Sequence, residues 1–193
     1  MDARLPATQY GDCMRFYTGK GDDGSTGLLF GGRVRKNSPG IEANGAVDEA
    51  QAAIGLARAW TEPGSEVDSV LIRAERDLYV LMAELATSPE NRNKLVADQT
   101  LVTVSMVTAL EAVVDEIGER FELPKEFVIP GQDRVAALLD VARTVARRAE
   151  RLALEVAAPD SQVIPYLNRL SSLLWVAARW QEHGESLKSK VEA

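Results

Sequence analysis

The feature that most constrains the fold is a helical spacing of apolar residues between residues 41 and 182. Apolar side chains recur every three or four positions, the period of an amphipathic α-helix. The spacing predicts five helices: residues 41–60, 65 or 66 to 88, 98–121, 134–157 and 161–182. Ser38 and Pro39 form a helix-start signal before the first of them. Long helices joined by short connections predict an all-α antiparallel five-helix bundle.

The length of the chain fits one domain. Its 193 residues suffice for one hydrophobic core, and no internal repeat, low-complexity tract or interdomain linker divides them. We expect residues 1–193 to form a single domain, with residues 1–15 as a flexible arm and residues 183–193 as a frayed tail.

Charge and composition exclude several classes of partner. The net charge of −7 argues against nucleic acid or an anionic membrane as a bulk partner. No apolar run approaches the length of a membrane span, and the N-terminal residues lack the apolar core of a signal peptide. Cys13 is the only cysteine, so an intrachain disulfide is impossible. We therefore expect a cytoplasmic protein that contacts neither nucleic acid nor membrane.

The single histidine restricts the chemistry. His183 alone cannot build a zinc site of several histidines, and a Ser–His–Asp triad would depend on it entirely. We interpret His183 as a solvated residue near a helix end. Any reaction must then depend on carboxylate and cationic side chains and on the reactivity of the ligand itself.

Residues 17–32, YTGKGDDGSTGLLFGG, form a glycine-rich segment before the first helix. Glycines allow a ligand close to the backbone, while Lys20 and the following Arg33, Arg35 and Lys36 supply positive charge. Backbone N–H groups, hydroxyls and cations on one loop suit a polyphosphate. The segment lacks the order of a P-loop and the strand–helix setting of a Rossmann fingerprint. A long polar turn without a ligand is the simpler alternative.

The fourth predicted helix carries four arginines within nine residues. Arg143, Arg147 and Arg151 are spaced by four and form one row along the helix, with Arg148 beside it and Glu150 near Arg147. Like charges at this spacing destabilise a helix unless an anion faces them. A solvated face with local ion pairs is the alternative, but in an acidic protein the row favours an anionic ligand or partner.

Polar residues of two other helices extend this candidate site. Asn168 of the fifth helix could contact a ribose or a magnesium shell, or it could be an ordinary surface amide. Asp48 or Glu49 of the first helix could pair with an arginine of the fourth. Together these residues predict an ATP-sized site between the glycine-rich segment and the fourth and fifth helices.

Three sequence blocks, taken together, identify a family. The first block is YTGKGDDGSTGL, followed by Arg33 and Lys36. The second is EANGAVDEAQAAIGLAR at residues 42–58. The third consists of ARTVARRAER at residues 142–151 and YLNRLSSLLWVAAR at residues 166–179. In order and spacing they resemble the PduO-type ATP:cob(I)alamin adenosyltransferases, or corrinoid adenosyltransferases. The resemblance spans residues 16–179.

The resemblance implies a homotrimer of five-helix bundles with active sites between subunits. It implies that the N-terminal segment is a nucleotide-binding loop and that ATP is the co-substrate, bound with Mg²⁺. The implied contacts of ATP or its Mg²⁺–triphosphate are Thr18, Gly19, Lys20, Gly21, Thr26, Arg33, Lys36, Arg147, Glu150, Arg151 and Asn168. Glu150 and Asn168 are the candidates closest to the metal, and no residue is assigned as a direct metal ligand.

The resemblance also implies a reaction. Cobalt(I) of a reduced corrinoid attacks C5′ of ATP, and triphosphate leaves, so no activated Ser, Cys or His is required. Lys20 and Arg147 would stabilise the leaving group, Asp48 and Arg143 would form an intersubunit salt bridge near the site, and Phe127 would crowd the lower face of the corrin. A flavin reductase and a cobalamin-dependent mutase are candidate partners.

Some positions depart from the family pattern, and two other functions stay open. Asp140 stands where the family pattern predicts histidine, Gln132 where it predicts glycine, and Ser172 where aspartate is common. Ala50 and Gln51 also replace a more familiar Leu–Asn pair. One alternative is an ATP-binding bundle that carries cobalamin or uses another acceptor. The other is a non-enzymatic helical interaction protein whose arginines pair with acidic neighbours.

Overall fold

The structure, a computed structural model, describes residues 18–189. Its helices are α1 (Pro39–Arg58), α2 (Glu66–Leu85), α3 (Val104–Gly118), α4 (Arg134–Ala153) and α5 (Val163–Gln181), with a short 3-10 helix at Pro89–Lys94. Four short strands are β1 (Ser25–Gly27), β2 (Arg33–Arg35), β3 (Val128–Ile129) and β4 (Leu187–Lys188). The predicted mostly helical fold and its five long helices are confirmed.

Side-chain caps fix where the helices begin. The side chains of Ser65, Thr103 and Asp133 accept hydrogen bonds from backbone N–H groups in the first turns of α2, α3 and α4. Ser38 has the extended backbone of an N-cap before α1 but makes no such hydrogen bond. The third helix begins later than predicted, because Thr103 caps it and the N–H of Val102 donates to Glu84 at 2.9 Å.

Long-range side-chain contacts define the direction of the helices. Asn44 of α1 donates to the carbonyl of Met82 near the end of α2, at 2.8 Å, so these two helices are antiparallel. α1 also packs on α4, α4 on α5, and α3 on α5. α3 and α5 run in the same direction, since Arg169 pairs with Glu111 while Arg120 stacks on Trp180. Helices consecutive in sequence are antiparallel, as predicted.

Alanine is the commonest buried residue of α1 and α4, and two buried alanines lie near the end of α5. Small side chains allow helix axes to approach closely, and interiors packed to crystal density leave no room for larger ones. The buried alanines are Ala43, Ala46, Ala50 and Ala57 in α1, Ala136, Ala142, Ala146, Ala149 and Ala153 in α4, and Ala177 and Ala178 in α5. Larger buried residues of the other helices, such as Leu71, Leu78 and Ile117, complete one hydrophobic core.

Two antiparallel strand pairings lie outside the helices. β1, inside the glycine-rich segment, pairs antiparallel with β2, which follows the segment directly, and the N–H of Leu29 donates to the carbonyl of Ala86 at 2.8 Å, at the C-terminal end of α2. β3 pairs antiparallel with β4. β4 lies in the range for which we expected a frayed tail; the predicted arm, residues 1–15, and residues 190–193 lie outside the described residues. Among residues 18–189, no helix has the combined length and apolar character needed to cross a bilayer.

The alanine packing predicts a steric limit. Ala146 on α4 is fully buried, so Ala146→Leu should lower the free energy of unfolding by about 1–3 kcal/mol through overpacking. Urea denaturation at one fixed protein concentration measures this. Ala112→Leu, at an exposed position of α3, is the matched control and should change little. Equal stability of the two variants would contradict close packing at α4.

Candidate functional site

Hydrogen bonds hold the glycine-rich segment in one shape. Arg33 donates from Nη2 to the carbonyl of Lys20 at 2.7 Å and to Oγ of Ser25 at 2.6 Å, linking β2 to the start of the segment. Asp23 accepts from the hydroxyl and the N–H of Ser25, at 2.7 and 2.8 Å. These hydrogen bonds, helped by the charges of Arg33 and Lys36, lower the pKa of Asp23. Arg33 and Asp23 thus serve the internal structure of the segment.

Lys20 in the glycine-rich segment and Lys36 just after it have ammonium groups without an ion-pair partner in residues 18–189. Lys36 lies against Gly21, where an added Cβ would be only 3.0 Å from its Nζ. The backbone N–H of Lys36 donates to the carbonyl of Gly24. Gly24 has a φ of +78°, a backbone conformation that favours glycine. Within residues 18–189, neither Lys20 nor Lys36 forms an ion pair through its side chain. This part of the chain therefore has two ammonium groups without an ion-pair partner in residues 18–189, close to glycines that a larger residue could not replace without strain or a steric clash.

The arginine row of α4 (Arg143, Arg147, Arg148 and Arg151) is mostly satisfied inside the chain. Arg143 donates from Nε to Asp140 at 3.0 Å, Arg148 pairs with Glu49, and Arg151 donates to the carbonyl of Arg147 at 3.0 Å. The predicted pairing of α1 with an α4 arginine is confirmed for Glu49. Within the described residues, the guanidinium of Arg147 has no hydrogen-bond or ion-pair partner.

A carboxylate and an amide meet one turn beyond Arg147. Asn168 of α5 donates from Nδ2 to Oε1 of Glu150 at 2.9 Å. Its own oxygen accepts from Arg169 at 2.7 Å, and Arg169 is in turn paired with Glu111. Asn168 is therefore an oriented amide rather than an ordinary surface one, and it leaves the second oxygen of Glu150 without a partner in residues 18–189.

Two cavities adjoin the row at the α4–α5 groove. The larger, of about 590 Å³, is lined by Phe127, Trp175, Arg143, Asp140 and Arg179 among others. Phe127 is 88% exposed, an unusual state for a phenylalanine. The smaller cavity, of about 260 Å³, is lined by Arg143, Arg147 and Trp175 with neighbouring residues of α5. Arg143 and Trp175 border both cavities.

A buried ion network, formed by Asp140, Arg179 and Glu182, borders the larger cavity through Asp140 and Arg179. Nη2 of Arg179 donates to Asp140 at 2.6 Å and to Glu182 at 3.1 Å. Its Nε forms an ion pair with Glu182 at 3.0 Å without aligning as a hydrogen bond. Residues 140 and 179 are far apart in sequence and meet only when α4 and α5 pack, so this network could not be predicted from the sequence.

The predicted site residues form two separate groups within one chain. The loop segment is hydrogen-bonded to the end of α2, whereas Arg147, Glu150 and Asn168 lie on α4 and α5. α2 and α4 both pack on α1. No hydrogen bond or ion pair within residues 18–189 joins the two groups. Asp48 is exposed and forms no ion pair with Arg143 in the described part of one chain.

Comparison with known proteins then identifies the family. The sequence model of the family described as cobalamin adenosyltransferase matches residues 16–181. The chain belongs to the cobalamin adenosyltransferase family. The resemblance found in the three sequence blocks is thereby confirmed.

Several named members of the family are similar over most of their length. A corrinoid adenosyltransferase from Mycobacterium bovis is 40% identical over 170 residues, which cover 86% of this chain and 87% of the relative. One from Bacillus subtilis is 35% identical over 172 residues and covers 86% of each. The structure also resembles that of a variant PduO-type ATP:corrinoid adenosyltransferase from Lactobacillus reuteri complexed with cobalamin and ATP. That match has a TM-score of 0.78 at 26% identity and covers 92% of this chain and 100% of the other.

The contact between Gly21 and Lys36 predicts a testable effect. Gly21→Ala would place its Cβ 3.0 Å from Nζ of Lys36 and 3.2 Å from the carbonyl oxygen of Ser25, so the ammonium must move. Affinity for inorganic triphosphate, measured by calorimetry, should fall about tenfold, because a hydrogen bond to a charged group contributes about 1.5 kcal/mol. Gly27→Ala is the control, since nothing lies within 4 Å of its added Cβ. Equal affinities of the two variants would exclude Lys36 from the anion site.

Proposed function

We propose that this chain transfers the 5′-deoxyadenosyl group of ATP to cob(I)alamin or a related corrinoid, releasing triphosphate and giving adenosylcobalamin. The observation that carries the proposal is the unpaired guanidinium of Arg147. Its three neighbours in the arginine row each have an acceptor within the chain, whereas within residues 18–189 the whole guanidinium of Arg147 is left to meet an external anion. Membership of the cobalamin adenosyltransferase family supports the triphosphate of ATP as that anion.

The chemistry suits a chain that is poor in nucleophiles. Cobalt(I) is itself a strong nucleophile, so the protein must bind and orient the substrates and stabilise the leaving group. Negative charge increases on the triphosphate as its bond to C5′ breaks. Fixed cations near that charge lower the barrier, and Lys20, Lys36 and Arg147, which have no ion-pair partner within residues 18–189, are available for this role.

The residues present fit an Mg²⁺ ion held mainly by ATP. Within residues 18–189, no cluster of three or more His, Cys, Asp or Glu side chains could hold a metal ion alone. Mg²⁺ commonly takes one or two carboxylates together with substrate phosphates. Glu150 has an oxygen free for this, and Asn168 orients it. Bound there, Mg²⁺ would add positive charge next to the leaving triphosphate.

The larger cavity is our candidate for the corrinoid. Phe127 and Trp175 are aromatic residues that line it. Covering the exposed Phe127 side chain with a large apolar ring system would be energetically favourable. Phe127 would then lie against the lower face of the corrin, where it would favour loss of the lower cobalt ligand. Arg143, which borders this cavity and the one beside Arg147, would lie between the two substrates.

We further propose that complete sites form between subunits of a homotrimer. The loop segment is attached to α2, the arginine row lies on α4, and both helices pack on α1. A ring in which different surfaces of neighbouring subunits meet can bring the loop of one copy to α4 of the next. In such a ring, exposed Asp48 of one subunit would pair with Arg143 of another.

The remaining proposals concern the setting of the reaction. We propose that residues 1–193 act as one domain in the cytoplasm, supported by the single core and the single cysteine. Cobalt must be reduced to cobalt(I) before the transfer, so a reductase must act before this step. A flavin enzyme is a candidate for that reductase. A cobalamin-dependent mutase is a candidate user of the product.

The direct test uses the visible spectrum of the corrinoid. Wild-type protein with ATP, Mg²⁺ and chemically reduced cobalamin under anaerobic conditions should produce the spectrum of adenosylcobalamin. Arg147→Ala should lower kcat on the order of a hundredfold, as the loss of a group that stabilises developing charge does in other enzymes. Arg134→Ala removes the same charge from the first residue of α4, where it stacks on Trp60, and should leave kcat near wild type.

Other outcomes would favour the alternatives. ATP binding without conversion of reduced cobalamin would contradict the transferase and favour a carrier or another acceptor. Absence of ATP binding in the wild type, with Lys20→Ala and Arg147→Ala unchanged, would favour a helical interaction protein.

A further inference from the structure

Asp140 divides its carboxylate between two arginines. Oδ1 accepts from Nε of Arg143 at 3.0 Å, and Oδ2 accepts from Nη2 of Arg179 at 2.6 Å. The Asp140 side chain is only 5% exposed and that of Arg179 only 2%. Each oxygen therefore has one charged donor in a nearly water-free setting, where such bonds are strong.

The hydrogen bond from Nε determines what Arg143 can still do. A guanidinium has five N–H donors, and Nε lies on the edge away from the Nη1–Nη2 fork. Within residues 18–189, neither Nη group of Arg143 has a partner. The side chain is 27% exposed and borders both cavities at the α4–α5 groove. The Nε end of the Arg143 guanidinium is thus fixed by Asp140, while its two Nη groups have no partner within residues 18–189.

Asp140 is itself held in place by the rest of the buried ion network. Arg179 contacts Glu182 through both Nη2 and Nε, and Glu182 also accepts from the hydroxyl of Ser186. A buried arginine between two carboxylates has little freedom to move, because separating it from either one leaves a buried charge uncompensated. The position of Asp140 is therefore set from α5.

We propose that Asp140 is a positioning residue, which fixes the guanidinium of Arg143 by its Nε so that the Nη fork faces the site. The inference rests on the proposed function and adds a residue to it. Asp140 touches neither substrate; it acts through Arg143. The fork is suited to bidentate binding of a carboxylate or phosphate, but only while its direction is fixed.

Replacing Asp140 by asparagine separates this role from the burial of charge. An amide has one acceptor oxygen and one NH₂ donor, so Asp140→Asn must set a donor against either Arg143 or Arg179. Arg179 is the more buried and keeps the oxygen, because an unpaired buried charge costs more than an exposed one. Arg143 then loses its anchor.

Glu182→Gln is the matched control. It also removes one of the two carboxylates beside Arg179, but it leaves the hydrogen bond between Asp140 and Arg143 in place. Both variants should lower the thermal midpoint. Only Asp140→Asn should lower kcat for adenosyl transfer, on the order of ten- to a hundredfold, the effect expected when a reacting arrangement loses its orientation.

A double-mutant cycle decides whether Asp140 acts through Arg143. In an Arg143→Ala background, Asp140→Asn should produce no further loss in the rate constant of adenosyl transfer, measured in single-turnover reactions with the protein in excess. Should Asp140→Asn fail to fold, Asp140→Glu takes its place in the cycle, since it keeps the charge that Arg179 requires but displaces the carboxylate from Nε of Arg143.

The possible results are distinct. An equal loss of kcat in Glu182→Gln, or the same loss from Asp140→Asn with and without Arg143, would overturn the positioning role. Lack of turnover in the wild-type protein would instead overturn the proposed function, and the positioning role with it. Loss of kcat confined to Asp140→Asn and abolished in the Arg143→Ala background would support the proposal.

Discussion

Close packing of small side chains between α1, α4 and α5 is the constraint on which the rest of the molecule depends. Most of the buried residues of α1 and α4 are alanines, among them Ala50 and Ala146, and both of these are fully buried. Helices that approach through alanine hold their backbones at a well-defined distance, because there is little side-chain freedom to absorb a shift. Side chains at the edges of these contacts therefore take fixed positions relative to the neighbouring helix.

The functional groups of α4 and α5 occupy those edges. Glu150 meets Asn168, and Asp140 meets Arg179, across the same pair of antiparallel helices. Along α4, the row between these two contacts carries Arg143, anchored at Nε, and Arg147, which has no partner in the described chain. Rigid packing thus converts a sequence of like charges into one fixed cation and one free cation, an arrangement suited to a multiply charged ligand.

Much of the fold and part of the candidate site could be predicted from the sequence. Helical period identified all five helices, because it is a local property that repeats over many turns. The late start of α3 was missed, since it depends on a hydrogen bond from Val102 to Glu84, which lies on another helix. The two-residue strands β3 and β4 are too short to show any period. The glycine-rich segment and the arginine row were visible as patterns, but which arginine stays unpaired depends on tertiary contacts.

We propose that a complete site takes its loop from one subunit and its arginine from another. Co-expression of Lys20→Ala subunits with Arg147→Ala subunits, each bearing a different affinity tag, tests it by the rate of adenosylcobalamin formation in isolated mixed assemblies. Each variant alone should be nearly inactive, whereas the isolated mixed trimers should regain about a third of the wild-type sites, since a ring that contains both variants has one intact loop facing one intact α4 among its three sites. No recovery of activity in assemblies that contain both subunits would contradict the claim.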